Sequence, residues 1–121
     1  MIVKSLRNIA GFRAGDASFL QEILHPARDP LTVGYSLARA VVRPGERTLP
    51  HRLKSAEVYY VLAGRGRMRV GEDRAEVGPG DAVVIPPGEV QAIENIGAED
   101  LAFLCIVDPA WRPADEEILC G

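Results

Sequence analysis

Cysteine, histidine and tryptophan are scarce in this 121-residue chain: Cys105 and Cys120, His25 and His51, and Trp111 alone. Two cysteines make no disulfide framework. Cys105 sits inside the apolar stretch from Leu101 to Val107 and Cys120 is the penultimate residue, so pairing them would require a buried sulfur to meet a frayed tail. Two reduced thiols in a reducing compartment is the expectation. With two histidines, neither a Ser-His-Asp nor a Cys-His triad is readable, and hydrolysis of that kind would rest on His51 alone. Long hydrophobic runs are also missing. The stretch Ala82 to Pro87 is among the longest and is far too short to span a bilayer, while Met1 to Asn8 lacks the apolar core of a signal peptide. The chain is therefore expected in the cytoplasm, without a membrane partner. Basic charge is not in excess either. Twelve of the 14 basic residues are arginine, spread from Arg7 to Arg112 among 17 acids for a net charge of −3. No local run of them marks a nucleic-acid partner.

The apolar fraction is 47% and charged residues are 26%, the balance of one ordinary globular domain with one core. Helix signals are few. Residues 16–24 read either as a short capped helix or as an edge strand. Residues 113–119 read as one helical turn, with Pro113 at its start and acids in its first turn. Nearly everything between alternates apolar with polar, which predicts strands over Thr32–Val42, Glu57–Leu62, Gly66–Val70, Ala75–Val77, Ala82–Ile85, Val90–Ile96 and Leu101–Val107. In the hairpin around Gly71, Ala75 and Val77 are expected inward. Arg74 and Glu76 are expected outward, where arginines can meet acid across the strands. Short strands at roughly ten-residue spacing indicate a sandwich or barrel. The expected organisation is an N-terminal extension over 1–30, a barrel over 31–108 and a tail over 109–121, all in one domain.

Three Pro-Gly pairs, Pro44-Gly45, Pro79-Gly80 and Pro87-Gly88, punctuate these strands as type II turns: proline presets the second turn position and glycine takes the positive φ of the third. Around them stand two spaced motifs. One runs Gly45-x5-His51-x-Leu53-x3-Glu57-x6-Gly64, the other Gly80-x5-Pro86-x-Gly88-x2-Gln91-x3-Asn95. Together they resemble the two motifs of the cupin superfamily, specifically its small single-domain members. The resemblance implies an all-β fold, a double-stranded β-helix jelly-roll barrel with short N- and C-terminal extensions. In that family two motif-one histidines, the glutamate and a motif-two histidine hold a divalent metal inside the barrel. Here the positions of two of those histidines carry Leu53 and Gln91. The remaining set, His51, Glu57 and Gln91, offers an imidazole, a carboxylate and an amide oxygen. Such a set holds zinc, iron, nickel or manganese more weakly than three histidines.

Each of these residues has a functional and a purely structural reading. His51 is either an inward ligand or a turn histidine after Pro50. Glu57 is either a surface carboxylate or, in the motif register, an inward one that must meet a metal, pair with a protonated His51 or raise its pKa. Gln91 either binds ligand or fills the space of a lost metal site. Tyr59 is in phase with Glu57 and can line the cavity, with Tyr60 packing against the opposite layer. Cys105 is core or cavity wall, Asn95 a loop brace, Trp111 a lid, and His25 a loop residue without a role. The ligand-binding set is thus His51, Glu57, Tyr59, Gln91 and Cys105. The expected function is a small-molecule-binding barrel with a degenerate site. The alternatives are a metal-dependent dioxygenase, isomerase or decarboxylase, with Glu57 or Tyr59 as proton relay, and a structural protein with a vestigial pocket. A homodimer is expected, paired through Phe19–Leu24 or the strand from Thr32, because jelly-roll edges need cover.

Overall fold

A computed structural model describes residues 1–119; Cys120 lies outside them. The described residues form eleven strands: β1 (Phe12–Arg13), β2 (Phe19–Leu24), β3 (Ser36–Val42), β4 (His51–Leu53), β5 (Ala56–Ala63), β6 (Gly66–Val70), β7 (Asp73–Val77), β8 (Ala82–Ile85), β9 (Gln91–Asn95), β10 (Leu101–Asp108) and β11 (Glu116–Ile118). Among the described residues the only helical segments are two 3-10 turns, Leu6–Asn8 and Pro113–Asp115, and no helix is long and apolar enough to cross a membrane.

The strands form two antiparallel sheets, one ordered β1-β2-β3-β10-β5-β8 and the other β11-β4-β9-β6-β7. This is the expected jelly roll, although the sheets stay separate and do not join into one closed hydrogen-bonded barrel. All three Pro-Gly turns place glycine at positive φ, 78° at Gly45, 90° at Gly80 and 81° at Gly88, as type II turns require. Gly64 is also at positive φ, 85°. A side chain there would also collide with the backbone of Asp100 and Leu101, so this motif position needs glycine twice over.

The ambiguous segment 16–24 resolves as strand. β2 pairs with β3 in register Phe19↔Val41 to Leu24↔Leu37, and a six-residue strand with a partner satisfies its backbone more fully than a short, proline-bounded helix would. This also corrects the expected dimer edge: β3 lies between β2 and β10, so it has no free edge to offer a second subunit. The strand expected from Thr32 begins only at Ser36. The tail makes its 3-10 turn at Pro113 and then adds β11 to β4, with Ile118 opposite His51.

Two other expectations fail at the sheet surfaces. Ala75 is exposed and Val77 only half-buried, because β7 is an edge strand and overhangs the core. Tyr60 points outward, 42% exposed, since its phase is opposite to Tyr59 and no layer covers that face of the first sheet.

The inward residues change character along the barrel axis. At one end Val42, Val61, Met68, Ile93, Leu101 and Phe103 make an apolar core. At the other end β3, β5 and β9 turn in Ser36, Glu57 and Gln91, and β4 adds His51, all buried. Asn95 closes the apolar end as a brace: its amide donates to the Val42 and Glu99 carbonyls at 2.9 and 2.7 Å, and its Oδ1 accepts from Gly97 N–H at 2.9 Å.

Candidate ligand site in the barrel

The polar end encloses a cavity of about 140 Å³. Its walls include His51 and Leu53 of β4, Glu57 and Tyr59 of β5 and Cys105 of β10. Strand alternation explains this convergence: His51 and Leu53 are two apart, as are Glu57 and Tyr59, so each pair shares an inward face.

Gln91 is the hub behind the wall. It lies opposite His51 in the β4–β9 register and is fully buried. Tyr59 Oη donates to Gln91 Oε1 at 2.7 Å, and Gln91 Nε2 donates to Glu57 Oε1 at 2.9 Å. Gln91 itself does not line the cavity; it positions the two side chains that do. The other face of Tyr59 packs on Phe103, ring centroids 4.4 Å apart, which ties the polar chain to the apolar core.

His51 is 3% exposed. Its Nδ1 lies 2.7 Å from the Leu49 carbonyl. A carbonyl can only accept, so Nδ1 carries a proton, and in the neutral ring the lone pair is on Nε2. That nitrogen has no hydrogen-bond partner among the described residues. The nearest acid is Asp16, whose Oδ2 is 3.7 Å away.

Burial pushes the Glu57 carboxyl up to about 8. The hydrogen bond from Gln91 opposes the shift, and the charges of Asp16 and Glu116 add to it. With Oε1 occupied by Gln91, the neutral acid presents its other oxygen to the cavity. Burial, followed by the charge of Glu57, likewise holds the Tyr59 phenol and the Cys105 thiol well above their ordinary values. Tyr59 is therefore a hydrogen-bond donor, and Cys105 is a thiol that lines the cavity without nucleophilic character.

Sequence reading missed part of the wall. Asp16, Ser18, Glu22 and Glu116 also line the cavity, beside Trp111, which the sequence placed as a lid. Asp16 is held by its own turn, Oδ1 accepting from Ser18 N–H at 3.0 Å and from Ser18 Oγ at 2.6 Å. An Asp-x-Ser turn signal is present in the sequence, but nothing local says which side of the sheet it faces. Glu22 pairs with Arg28. Glu116 accepts the Trp111 indole N–H at 3.0 Å. The two termini thus close the mouth of the barrel together. His25 takes part, contrary to its reading as a residue without a role: its Nδ1 accepts from Ala27 N–H at 3.1 Å, so its Nε2–H donates to the Trp111 carbonyl at 2.7 Å.

The expected metal set fits poorly in this arrangement. Gln91 does not line the cavity, its Oε1 accepts from Tyr59 behind the wall, and its Nε2 is a donor that cannot ligate. That leaves one imidazole nitrogen and one carboxyl. No group of three His, Cys, Asp or Glu side chains among the described residues is placed to hold a metal ion.

Comparisons with known proteins agree with this fold. The chain is 43% identical over 105 residues to the uncharacterized protein MJ1618 of Methanocaldococcus jannaschii, covering 86% of this chain and 83% of that one. It is 33% identical over 115 residues to a 5-aminosalicylate 1,2-dioxygenase of Comamonas, of which it spans only 31% while 91% of this chain is covered. It is 32% identical over 71 residues to an oxalate-binding protein of Thermotoga maritima, covering 58% of this chain and 59% of that one. Among solved structures, that of a predicted oxalate decarboxylase from Thermotoga maritima aligns with a TM-score of 0.74 at 25% identity, over 88% of this chain and 97% of that one. Oxalate decarboxylase from Bacillus subtilis aligns with a TM-score of 0.82 at 21% identity, over 95% of this chain and 31% of that one, and supports the fold alone. A family model for the cupin domain matches residues 38–107, which is more than half of the chain and contains both spaced motifs, so this protein belongs to the cupin family.

Proposed function

We propose that the chain binds a small uncharged or cationic organic molecule inside the barrel, held by His51, Glu57 and Asp16 and backed by the Tyr59–Gln91 pair. The observation that carries this reading is His51. Its ring is buried and oriented by the Leu49 carbonyl, yet Nε2 has no hydrogen-bond partner among the described residues and His51 lines the cavity. An imidazole nitrogen with a free lone pair at a cavity wall accepts from whatever donor enters, and a ligand donor supplies what the fold withholds. The cavity, at about 140 Å³, has room for four or five water-sized groups of ~30 Å³ each.

Charge narrows the class. Among the described residues four carboxyl groups and no Lys or Arg line the cavity; Glu57 is held neutral by burial and Glu22 pairs with Arg28, which leaves Asp16 and Glu116 as the uncompensated acids. A dicarboxylate such as oxalate, which the Thermotoga relative is named for binding, would bring two more negative charges into a poorly hydrated space. An amine or hydroxyl compound would instead donate to His51 Nε2 and Asp16. Titration calorimetry against small amines, polyols and oxalate tests this. Binding of an amine or polyol that His51→Ala removes is expected; tight oxalate binding by metal-stripped protein would overturn the charge argument.

The enzymatic alternative keeps one specific support, the 33% identity to a dioxygenase over most of this chain. Elemental analysis of untagged protein bears on it directly: stoichiometric metal would bring a metal-dependent reaction ahead of plain binding. The proposal extends to a homodimer. With β3 internal, the apolar outer face of the first sheet, where Tyr60, Leu62 and Val84 are exposed, is the surface a second copy would cover.

A further inference from the structure

The outer face of the second sheet carries two adjacent cross-strand rows that obey different rules. In one row Glu76 lies opposite Arg67, Arg67 opposite Glu94, and Glu94 bridges to Arg47. Signs alternate, and Arg67 Nη1 meets Glu94 Oε1 at 3.1 Å, as a structural charge ladder should. In the next row Arg74 lies opposite Arg69, and Arg69 opposite Ala92. Two like charges face each other, and a small apolar residue stands where alternation would put an acid. Among the described residues, Arg47, Arg69 and Arg74 have no ion-pair partner. The Arg69 guanidinium is steadied by its Nε–H donating to the Gly71 carbonyl at 3.1 Å, which leaves its terminal nitrogens free. The hollow over Ala92, about 160 Å³, is lined by Arg47, Arg67, Arg69 and Arg74 with Glu94 as its one acid. Four arginines against one glutamate leave +3 there, in a chain whose net charge is −3. The linear sequence hides this clustering, because strand pairing brings residues 47, 67, 69 and 74 together.

We propose that this hollow is a second binding site, separate from the barrel cavity, for a small oxyanion of the phosphate class seated over Ala92 between Arg69 and Arg74. Guanidinium groups bind phosphate oxygens in pairs, and an anion there converts a repulsive row into an alternating one. A volume equal to about five waters at ~30 Å³ each suits phosphate or pyrophosphate. Glu94 in the hollow and Glu76 in the neighbouring row interrupt any continuous basic stripe of the kind that tracks a nucleic-acid backbone.

The test is titration calorimetry of the full chain with pyrophosphate at about 20 mM and about 150 mM salt, which separates a built site from screened surface attraction. One site is expected at both salt concentrations. Arg69→Ala and Arg74→Ala should each weaken it at least about tenfold. Ala92→Glu should abolish binding while raising Tm, because it restores sign alternation. Arg112→Ala, whose guanidinium pairs with Asp115 elsewhere, should leave binding unchanged. Absence of binding at low salt, binding that survives Ala92→Glu, or equal weakening by Arg112→Ala would overturn the assignment. So would binding of an oligonucleotide without binding of pyrophosphate.

Discussion

Replacing Glu57 by glutamine should change how stability depends on pH, and the size of the change follows from the site. In the folded chain the carboxyl titrates at about 8, against an ordinary 4.5. Below pH 4.5 both folded and unfolded chains hold the proton. Between 4.5 and about 8 the folded chain still holds it while the unfolded chain has released it, so each rise in pH favours unfolding. At ~1.4 kcal/mol per pH unit the gap amounts to about 5 kcal/mol, and the decline levels off above pH 8. The glutamine side chain is nearly isosteric with the glutamic acid, keeps an oxygen to accept the Gln91 N–H, and does not titrate. Urea unfolding of metal-stripped parent and Glu57→Gln at about pH 5, 6, 7 and 8 should therefore show a stability difference that widens in favour of the variant by ~1.4 kcal/mol per unit. Parallel profiles would refute the reasoning and mean that Glu57 is ionised in the folded state at neutral pH. Added zinc provides a second check: if it bound Glu57 as carboxylate, it would stabilise the parent more as pH rises and reverse the trend.

Further outcomes are expected. Tyr59→Phe leaves the buried Gln91 Oε1 without its donor and should cost about 1–3 kcal/mol in urea unfolding. Asn95→Ala removes three hydrogen bonds at the closed end and should cost about 2–4 kcal/mol by the same measurement. Leu53→His combined with Gln91→His should bring two imidazoles beside His51 and Glu57, and metal-stripped protein should then bind zinc or nickel at least about tenfold more tightly than the parent by calorimetry. Glu57→Ala in that background should remove part of the gain; unchanged affinity would mean that positions 53 and 91 do not converge. Light scattering at micromolar concentration should show a dimer, and a mass near that of the 13.1 kDa chain would remove that part of the proposal.

Strand identity was legible wherever alternation ran for five or more residues, as in Gly66–Val70, because period-two patterning is a local property that a buried face imposes directly. The turns were legible for the same reason: Pro-Gly chemistry acts within about four residues. The inward, buried placement of His51, Glu57 and Gln91 followed from motif spacing, since a known framework converts sequence distance into position. What only the tertiary structure decided was each side chain's partner. Whether Gln91 is a ligand or a brace depends on Tyr59, 32 residues away, and Glu57, 34 away. The wall supplied by Asp16 and Glu116, the clamp from His25 to Trp111 and the Arg69–Arg74 row all depend on pairings between distant segments. Local propensity carries no information about those pairings. They are selected by the joint burial of both sheets, a property of the whole chain.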